Sequence, residues 1–454
     1  ELAESQGAHL SDGRRLARAR LMATVRGRQD EALEEFRAIR KGEPGDRIGP
    51  RNLEIWAAMR RRQGRAAEVK VLRRWLLEEY PASAQAAEVR WDSATSAQSR
   101  GALSVASATF AALAEAAPTL SRAGQARMRL GQIALGRGHP GEAARVFEAY
   151  LKDFPSGRRW DEAAYWAART RLQLGDSAVA RAHVARIRSE EPFSYYAVLG
   201  AALLDEPYDV DVEAGEPTDA PAWLTEGLAR MDALSEAGLD RGADAEEARL
   251  VARVQDADAL ALTLAEGLIE RGRTIAGINL GWKLRASGAP WTRRLLQVVY
   301  PFPYREMVVR EAAEWGVDPI MLAALIRQES AFEADIRSGA GAVGLMQVMP
   351  PTGRELARAH GPEDFKEESL TTPEVNLHLG AAFFVEMNRR YEGDLPLVLS
   401  AYNAGPTRAT RWRRYPEVAD AERFTERIPF EETRGYVKNV RRNLGVYQAL
   451  YGQD

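Results

Sequence analysis

The sequence predicts a mainly α chain, in which a superhelix of stacked helical hairpins precedes a helix-rich C-terminal domain. Three observations lead there. Gly27, Gly64, Gly101, Gly138 and Gly175 recur with a period of 37 residues. Pro44, Pro81, Pro118, Pro155 and Pro192 keep the same step. The repeats carry no alternating β-branched runs and the final domain carries few, so helix dominates throughout.

Each unit reads as a helical hairpin. The glycine takes the left-handed position that ends the first helix, and the proline closes the second, where it cannot continue the hydrogen-bond ladder. Five residues after each glycine stand Ala32, Val69, Ala106, Ala143 and Ala180, small side chains that let two helices approach closely. Twelve after it stand Ile39, Leu76, Leu113, Tyr150 and Ile187. One hairpin cannot bury its apolar face alone, so such units stack. The pattern resembles a tetratricopeptide-like array with longer units than usual. An array of this kind is a scaffold or binding surface, and implies no chemistry by itself.

Residues 1–204 are assigned to this array, which ends in Phe193, Ser194, Tyr195 and Tyr196 and a short helix. The stretch 205–222 carries seven acidic residues, no Lys or Arg, and Pro207, Pro217 and Pro221, and reads as an acidic connecting loop. Amphipathic helices return over 223–294, so 205–298 is taken as loop and helical linker domain. Pro301 and Pro303 punctuate the entry to a last domain, 299–454.

Composition bounds the function. A length of 454 residues with 45% hydrophobic content suits two or three domains. A net charge of −3 supplies no basic field, so nucleic acid is not an expected partner. Zero cysteines exclude disulfides, thiolate zinc sites, iron–sulfur clusters and a cysteine nucleophile. No apolar run approaches the roughly 18 residues of a membrane span, so a soluble chain is expected. Glu1 in place of an initiating Met leads us to expect a removed signal peptide or a truncated terminus. His9, His139, His183, His360 and His378 show no ligand spacing, so neither a metal nor another cofactor is expected.

In the last domain, Asp318 followed by Pro319 is a strong helix start, and the helix runs through Glu329 and Ser330. Leu322, Leu325 and Ile326 share one face, and the next position on that stripe is Glu329. A carboxyl on an apolar face keeps its proton to unusually high pH, and can act as a general acid. On this motif alone, a Glu that turns into solvent or caps a neighbour reads equally well. Gly339, Gly341 and Gly344 then form a formal GxGxxG. A dinucleotide site needs a strand before it and a helix opening at the third glycine. Here a helix precedes it, and Pro350 and Pro351 start the next helix too late.

Four motifs taken together carry a family resemblance: Gln328, Glu329 and Ser330; Gly344 to Gln347 as Gly-Leu-Met-Gln; Ala401, Tyr402, Asn403, Ala404 and Gly405; and Ile428 through Val437, with Glu432, Thr433 and Arg434 inside it. In order and spacing they resemble family 1 lytic transglycosylases over about 150 residues at the C-terminal end, and the helical array resembles the soluble, ring-forming members. The resemblance implies a lysozyme-like catalytic domain on a U-shaped superhelix. It also implies a periplasmic enzyme whose partner is the peptidoglycan glycan strand, cut between N-acetylmuramic acid and N-acetylglucosamine. Cell-wall proteins are possible further partners through the array.

Carried over to this chain, the resemblance makes Glu329 the catalytic acid/base and Ser338 the hydroxyl beside the muramoyl ring. Met346, Gln347, Tyr402 and Asn403 would line the sugar groove, and Glu432 and Tyr436 would complete it, the Glu-Thr-Arg order favouring Glu432 over Glu431. Most glycosidases use two carboxylates, and no second acid stands out here. By family resemblance the N-acetyl group assists at the anomeric carbon, and Glu329 then takes the C6 hydroxyl proton as a 1,6-anhydro ring closes. Two rivals stay open: a goose-type muramidase that delivers water, and a non-catalytic glycan-binding scaffold. Arg408, Arg411, Trp412, Arg413, Arg414 and Tyr415 form a basic aromatic cluster that suits anionic stems or sugar rings, and equally a solvated helix face.

Overall fold

The computed structural model describes residues 10–452, so Glu1 and His9 lie outside it. The described residues fold into helices and contain no sheet, only isolated bridges from Arg337 to Val343 and from Val343 to Val348. The chain divides into two compact units, Glu1–Ile187 and Arg188–Asp454.

The first unit is five helical hairpins: Asp12–Met22 with Gln29–Lys41, Gly49–Arg62 with Ala66–Glu79, Ala84–Ser99 with Leu103–Ala116, Ser121–Gly136 with Pro140–Asp153, and Trp160–Gln173 with Ser177–Glu190. The periodic glycines sit in the five hairpin turns with φ between 73° and 86°, a region costly for any residue with a Cβ. No atom crowds them, so backbone conformation alone demands glycine there. The prolines fall just past the second helices. All ten residues found five and twelve positions after the glycines are buried. Thus each repeated position has a packing or turn role, as the period predicts.

The second unit begins at Arg188, in the last turn of the fifth hairpin's second helix. The helix Tyr195–Leu203, read from sequence as the end of the array, packs within this unit against the C-terminal helix Glu431–Tyr451. Gly445 permits the close approach, since a Cβ there would stand 2.6 Å from a methyl of Val198. The acidic segment 205–221 is free of helix but anchored: Tyr208 donates to the Pro192 carbonyl at 2.8 Å, and the Arg293 amide donates to the Glu213 carbonyl at 2.8 Å. Two more hairpins follow, Ala222–Glu236 with Asp240–Arg253 and Asp258–Glu270 with Thr274–Ala286, turning on Gly238 and Gly272 at φ 69° and 74°.

One apolar core joins these hairpins to the rest of the unit. Leu224, Leu264, Leu296 and Val299 are fully buried in the same cluster as Leu322, Leu345, Leu397 and Val440. Burying side chains of this kind stabilises by about 1.5–3 kcal/mol each, which fixes the helices that carry the candidate site. No helix among the described residues is long and apolar enough to cross a membrane.

Candidate active site

The helix Pro319–Glu329 opens as expected. Asp318 accepts from the Ile320 amide at 2.8 Å, and Pro319 needs no such partner. Leu322, Leu325 and Ile326 are 0% exposed, so the stripe that leads to Glu329 lies wholly in the core. Glu329 ends the helix and is only partly accessible. The Tyr436 hydroxyl, from the helix Glu431–Tyr451, donates to its Oε1 at 2.5 Å. Burial pushes the Glu329 carboxyl from the ordinary 4.5 up to about 7, against the opposing pull of the Tyr436 hydrogen bond. The causes of that shift are burial and the Tyr436 hydrogen bond, with no charge among them.

The chain turns sharply after the helix. Ala331 and Phe332 are both left-handed, at φ 52° and 68°, a backbone choice that L-residues adopt only when their surroundings over-determine it. Two restraints do so. Phe332 is fully buried, and the Ser330 hydroxyl donates to the Leu345 carbonyl at 2.8 Å while accepting from the Phe332 amide at 3.1 Å. Ser330 thereby ties the end of the acid's helix to the glycine-rich segment. The sequence places Ser330 in the first motif but assigns it no role of its own.

The glycine-rich segment is a compact turn, with no strand-to-helix transition. Ser338 accepts from the Ala342 amide at 3.0 Å and stays exposed. Gly344 has φ 79° and lies hard against Asn376 and the Leu370 carbonyl. Gln347 is itself left-handed at φ 49°, with its amide nitrogen donating to the carbonyls of Gly344 at 3.0 Å and Ile336 at 3.3 Å. Its amide oxygen is the atom left to accept from a ligand hydroxyl. The next helix starts only at Pro350, as the reading against a dinucleotide fingerprint requires.

The structure puts Met346 to a different use from the one expected. Its side chain is 0% exposed and packs on Gly380, so an open groove meets at most its backbone. That backbone matters: the Met346 carbonyl accepts from the Tyr402 hydroxyl at 2.9 Å. Tyr402 lies on the helix Leu395–Ala404. Its phenol is pushed well above its ordinary 10 by burial first and by the charge of Glu329 second, so it remains a neutral donor. Tyr436 shifts the same way for the same leading reason. Asn403 is exposed and accepts from the Thr433 hydroxyl at 2.8 Å. Glu432 is exposed in the first turn of the C-terminal helix, as is Glu431.

Hydrogen bonds therefore join the four motifs pairwise: Glu329 to Tyr436, Ser330 to Leu345, Tyr402 to Met346, and Thr433 to Asn403. The comparisons with known proteins match the stretch of chain that carries these motifs. The family described as Transglycosylase SLT domain matches residues 306–424, and the soluble lytic transglycosylase helical domain matches residues 427–454. Residues 306–424 belong to the transglycosylase SLT domain family.

The chain is a homologue of soluble lytic murein transglycosylases. It is 28% identical over 332 residues to the one from Salmonella typhimurium, covering 71% of this chain and 48% of that relative. A putative member from Haemophilus influenzae is 34% identical over 160 residues, covering 35% of this chain and 27% of that relative. The chain thus spans about half the length of the curated relatives it matches.

Among solved structures, the lytic transglycosylase Slt of Pseudomonas aeruginosa, in an inactive variant, matches with TM-score 0.70 at 22% identity, covering 98% of this chain and 74% of that one. A 70-kDa soluble lytic transglycosylase in complex with bulgecin A matches with TM-score 0.71 at 20% identity, covering 99% and 74%. Identities this low show the fold, a mainly α chain with a superhelical part and an SLT domain.

Outside the motifs, the SLT domain uses residues that spacing could not reveal. Trp412 is buried with its edge on Phe430, centroids 5.3 Å apart, and Arg427 lies over Tyr415 at 4.3 Å. The two aromatics of the basic cluster are therefore packing, while Arg408, Arg411, Arg413 and Arg414 are exposed. His378 meets Glu311 at 2.9 Å and the His360 carbonyl at 2.9 Å, with Glu314 close enough for the trio's ligand atoms to lie within 4.8 Å of one another. Both ring nitrogens of His378 already have protein partners, and the cluster holds two helices together.

Proposed function

We propose that this chain is a lytic transglycosylase of the periplasm, which cuts the β-1,4 bond between N-acetylmuramic acid and N-acetylglucosamine in peptidoglycan and leaves a 1,6-anhydro ring on the muramoyl product. The observation that carries this reading is Glu329, an enclosed carboxyl raised to about 7 and held by a tyrosine hydroxyl. A carboxyl with that pKa holds its proton near neutrality and loses it readily once a leaving oxygen takes it.

The chemistry needs one acid if the substrate brings its own nucleophile. Glu329 protonates the glycosidic oxygen as the C1–O bond breaks, and the N-acetyl oxygen bonds to C1. The C6 hydroxyl then displaces that oxygen at C1, and Glu329 takes the hydroxyl proton, which restores the carboxyl. Tyr436 holds Glu329 in position throughout. Tyr402 and Gln347 fix the groove wall, and Ser338, Asn403 and Glu432 are exposed for contact with sugar hydroxyls. Directed donors of this kind stabilise charge that develops late in the reaction. The hairpin array, whose periodic residues are spent on packing and turns, serves to position long strands, and offers a surface for cell-wall proteins.

Digestion of purified sacculi in ¹⁸O-labelled water, followed by mass analysis of the products, tests the reading. Ring closure within the substrate leaves the products unlabelled and lacking the mass of one water. Labelled products with free reducing ends would instead establish a muramidase.

A further inference from the structure

Asn376 is 0% exposed and lies on the helix Pro373–Arg390, outside every motif singled out in the sequence. Its side chain accepts from the Met346 amide at 2.8 Å, and its amide nitrogen donates to the carbonyls of Val343 at 2.7 Å and Leu370 at 2.8 Å. One amide group thus satisfies three buried backbone groups, two of which belong to the turn that ends in Gln347. One helical turn further on, Gly380 leaves just enough room for Met346: a Cβ there would stand 2.5 Å from the Met346 Cβ and 2.6 Å from its sulfur.

We propose that Asn376 is a positioning residue for glycan binding and cleavage, acting through the turn 343–347, with Gly380 setting how closely that turn seats on the helix. This inference rests on the proposed function, because the groove wall it positions is the one assigned to the sugar. The argument follows from strain and from connectivity. Gln347 and Gly344 both hold left-handed backbone, and Gln347 does so without being glycine, so the turn needs restraint from outside itself. Asn376 supplies it at Met346 and Val343, on either side of Gly344. The same Met346 whose amide is held by Asn376 receives the Tyr402 hydroxyl on its carbonyl. A shift of this peptide therefore moves two groove elements together, the Gln347 amide and the Tyr402 phenol. Glu329 and Tyr436 sit on other helices and bond to each other, so a shift of the turn reaches the acid only indirectly, through the Ser330 hydroxyl on the Leu345 carbonyl.

The experiment uses the full chain with Asn376→Asp and, separately, Gly380→Ala. The first keeps the acceptor for Met346 but removes both donors. The second keeps Asn376 and pushes the turn away from the helix. Each variant is also made in a Glu329→Gln background, where glycan affinity is measured without turnover. Hydrogen exchange of residues 343–348 reports the positioning with no substrate present. We expect faster exchange there with the buried body of the Glu329 helix, residues 320–326, unchanged, and a loss in glycan affinity and in kcat/KM of roughly 10–100-fold, the scale of a misplaced site element. The pH at which activity is lost on the alkaline side should stay where it is. Unchanged exchange, or full affinity in folded variants, would overturn the proposal. Should Asn376→Asp not fold, Gly380→Ala decides alone. If the Glu329→Gln chain binds no glycan at all, the functional reading fails, while the exchange measurement still decides whether Asn376 places the turn.

Discussion

The Tyr436 hydroxyl donates to Glu329 Oε1 at 2.5 Å, across a sequence separation of 107 residues. That contact brings the last helix of the chain onto the acid, and it opposes the burial that raises the acid's pKa to about 7. Two predictions come from the pair.

Glu329→Gln should abolish cleavage, with a loss of ~10²–10⁴-fold or more from general acid–base catalysis, and it should alter stability in a pH-dependent way. Below pH 4.5 the native and unfolded chains both carry a protonated Glu329. As pH rises through 4.5 the unfolded chain releases its proton first, and the native chain follows only near 7. Native stability therefore falls across that window, by about 3 kcal/mol for a gap of this size. The glutamine has no proton to lose. Chemical denaturation at pH 4 and pH 8 should show the variant gaining about 3 kcal/mol on wild type between the two. A constant difference would place the carboxyl in a more solvated setting than the structure gives it.

Tyr436→Phe removes a hydrogen bond that favours the carboxylate, while burial remains the larger influence. The pKa of Glu329 should then rise above about 7. Because the protonated acid is the active form, the alkaline loss of kcat should move to higher pH, even as the level of kcat falls with poorer positioning. A midpoint that moves to lower pH would mean that Tyr436 does not donate to the carboxylate in solution.

The fold and the enclosed position of Glu329 are legible in the sequence for the same reason: both leave a local periodic mark. The glycines at 37-residue intervals are turns with positive φ, and the buried positions follow them at fixed offsets. Glu329 sits at the next step of a stripe of leucine and isoleucine. What stayed hidden has no period. Asn376 acts on backbone groups of a turn some 30 residues away, and any asparagine in a helix looks alike from its neighbours. Met346 carries a motif position yet turns its side chain into the core, because Gly380, on the helix Pro373–Arg390, makes room for it. His378 and Glu311 meet across 67 residues. Spacing within a helix cannot announce such pairs.

The helix Tyr195–Leu203 is held to the helices Ala421–Arg427 and Glu431–Tyr451 by a small buried network. Tyr196 donates to Glu426 Oε1 at 2.7 Å, and Lys438 donates to Tyr196 at 2.6 Å and to Glu426 Oε2 at 2.8 Å. The Glu426 side chain is 6% exposed and that of Lys438 is 16% exposed. Lys438→Met would strand a buried carboxylate, at a cost of about 3–5 kcal/mol. Adding Glu426→Gln removes that charge, so the double variant should recover most of the loss. A double variant as unstable as the single one would show that packing, and not the stranded charge, sets the cost.

In the array, two glycines on the helix Ser121–Gly136 should respond to alanine with opposite signs. Both have ordinary helical backbone, so helix propensity favours alanine at each by about 0.8–1.0 kcal/mol. At Gly124 the new Cβ would meet Tyr150 at 3.5 Å, an ordinary contact, and the propensity gain should show in full. At Gly131 it would enter the Phe147 ring itself. Phe147 is 0% exposed and stacked on Trp166 with centroids 6.3 Å apart, so the ring cannot swing aside without displacing a fully buried tryptophan. Overpacking of this kind costs about 1–3 kcal/mol, which exceeds the propensity gain over most of that range. Thermal unfolding should therefore place Gly124→Ala above wild type and Gly131→Ala below it. If both variants were stabilised, the hairpins would have to pack less tightly at Phe147 than the structure shows. The close approach of helices, which the array's small residues are read to permit, would then fail at its most crowded point.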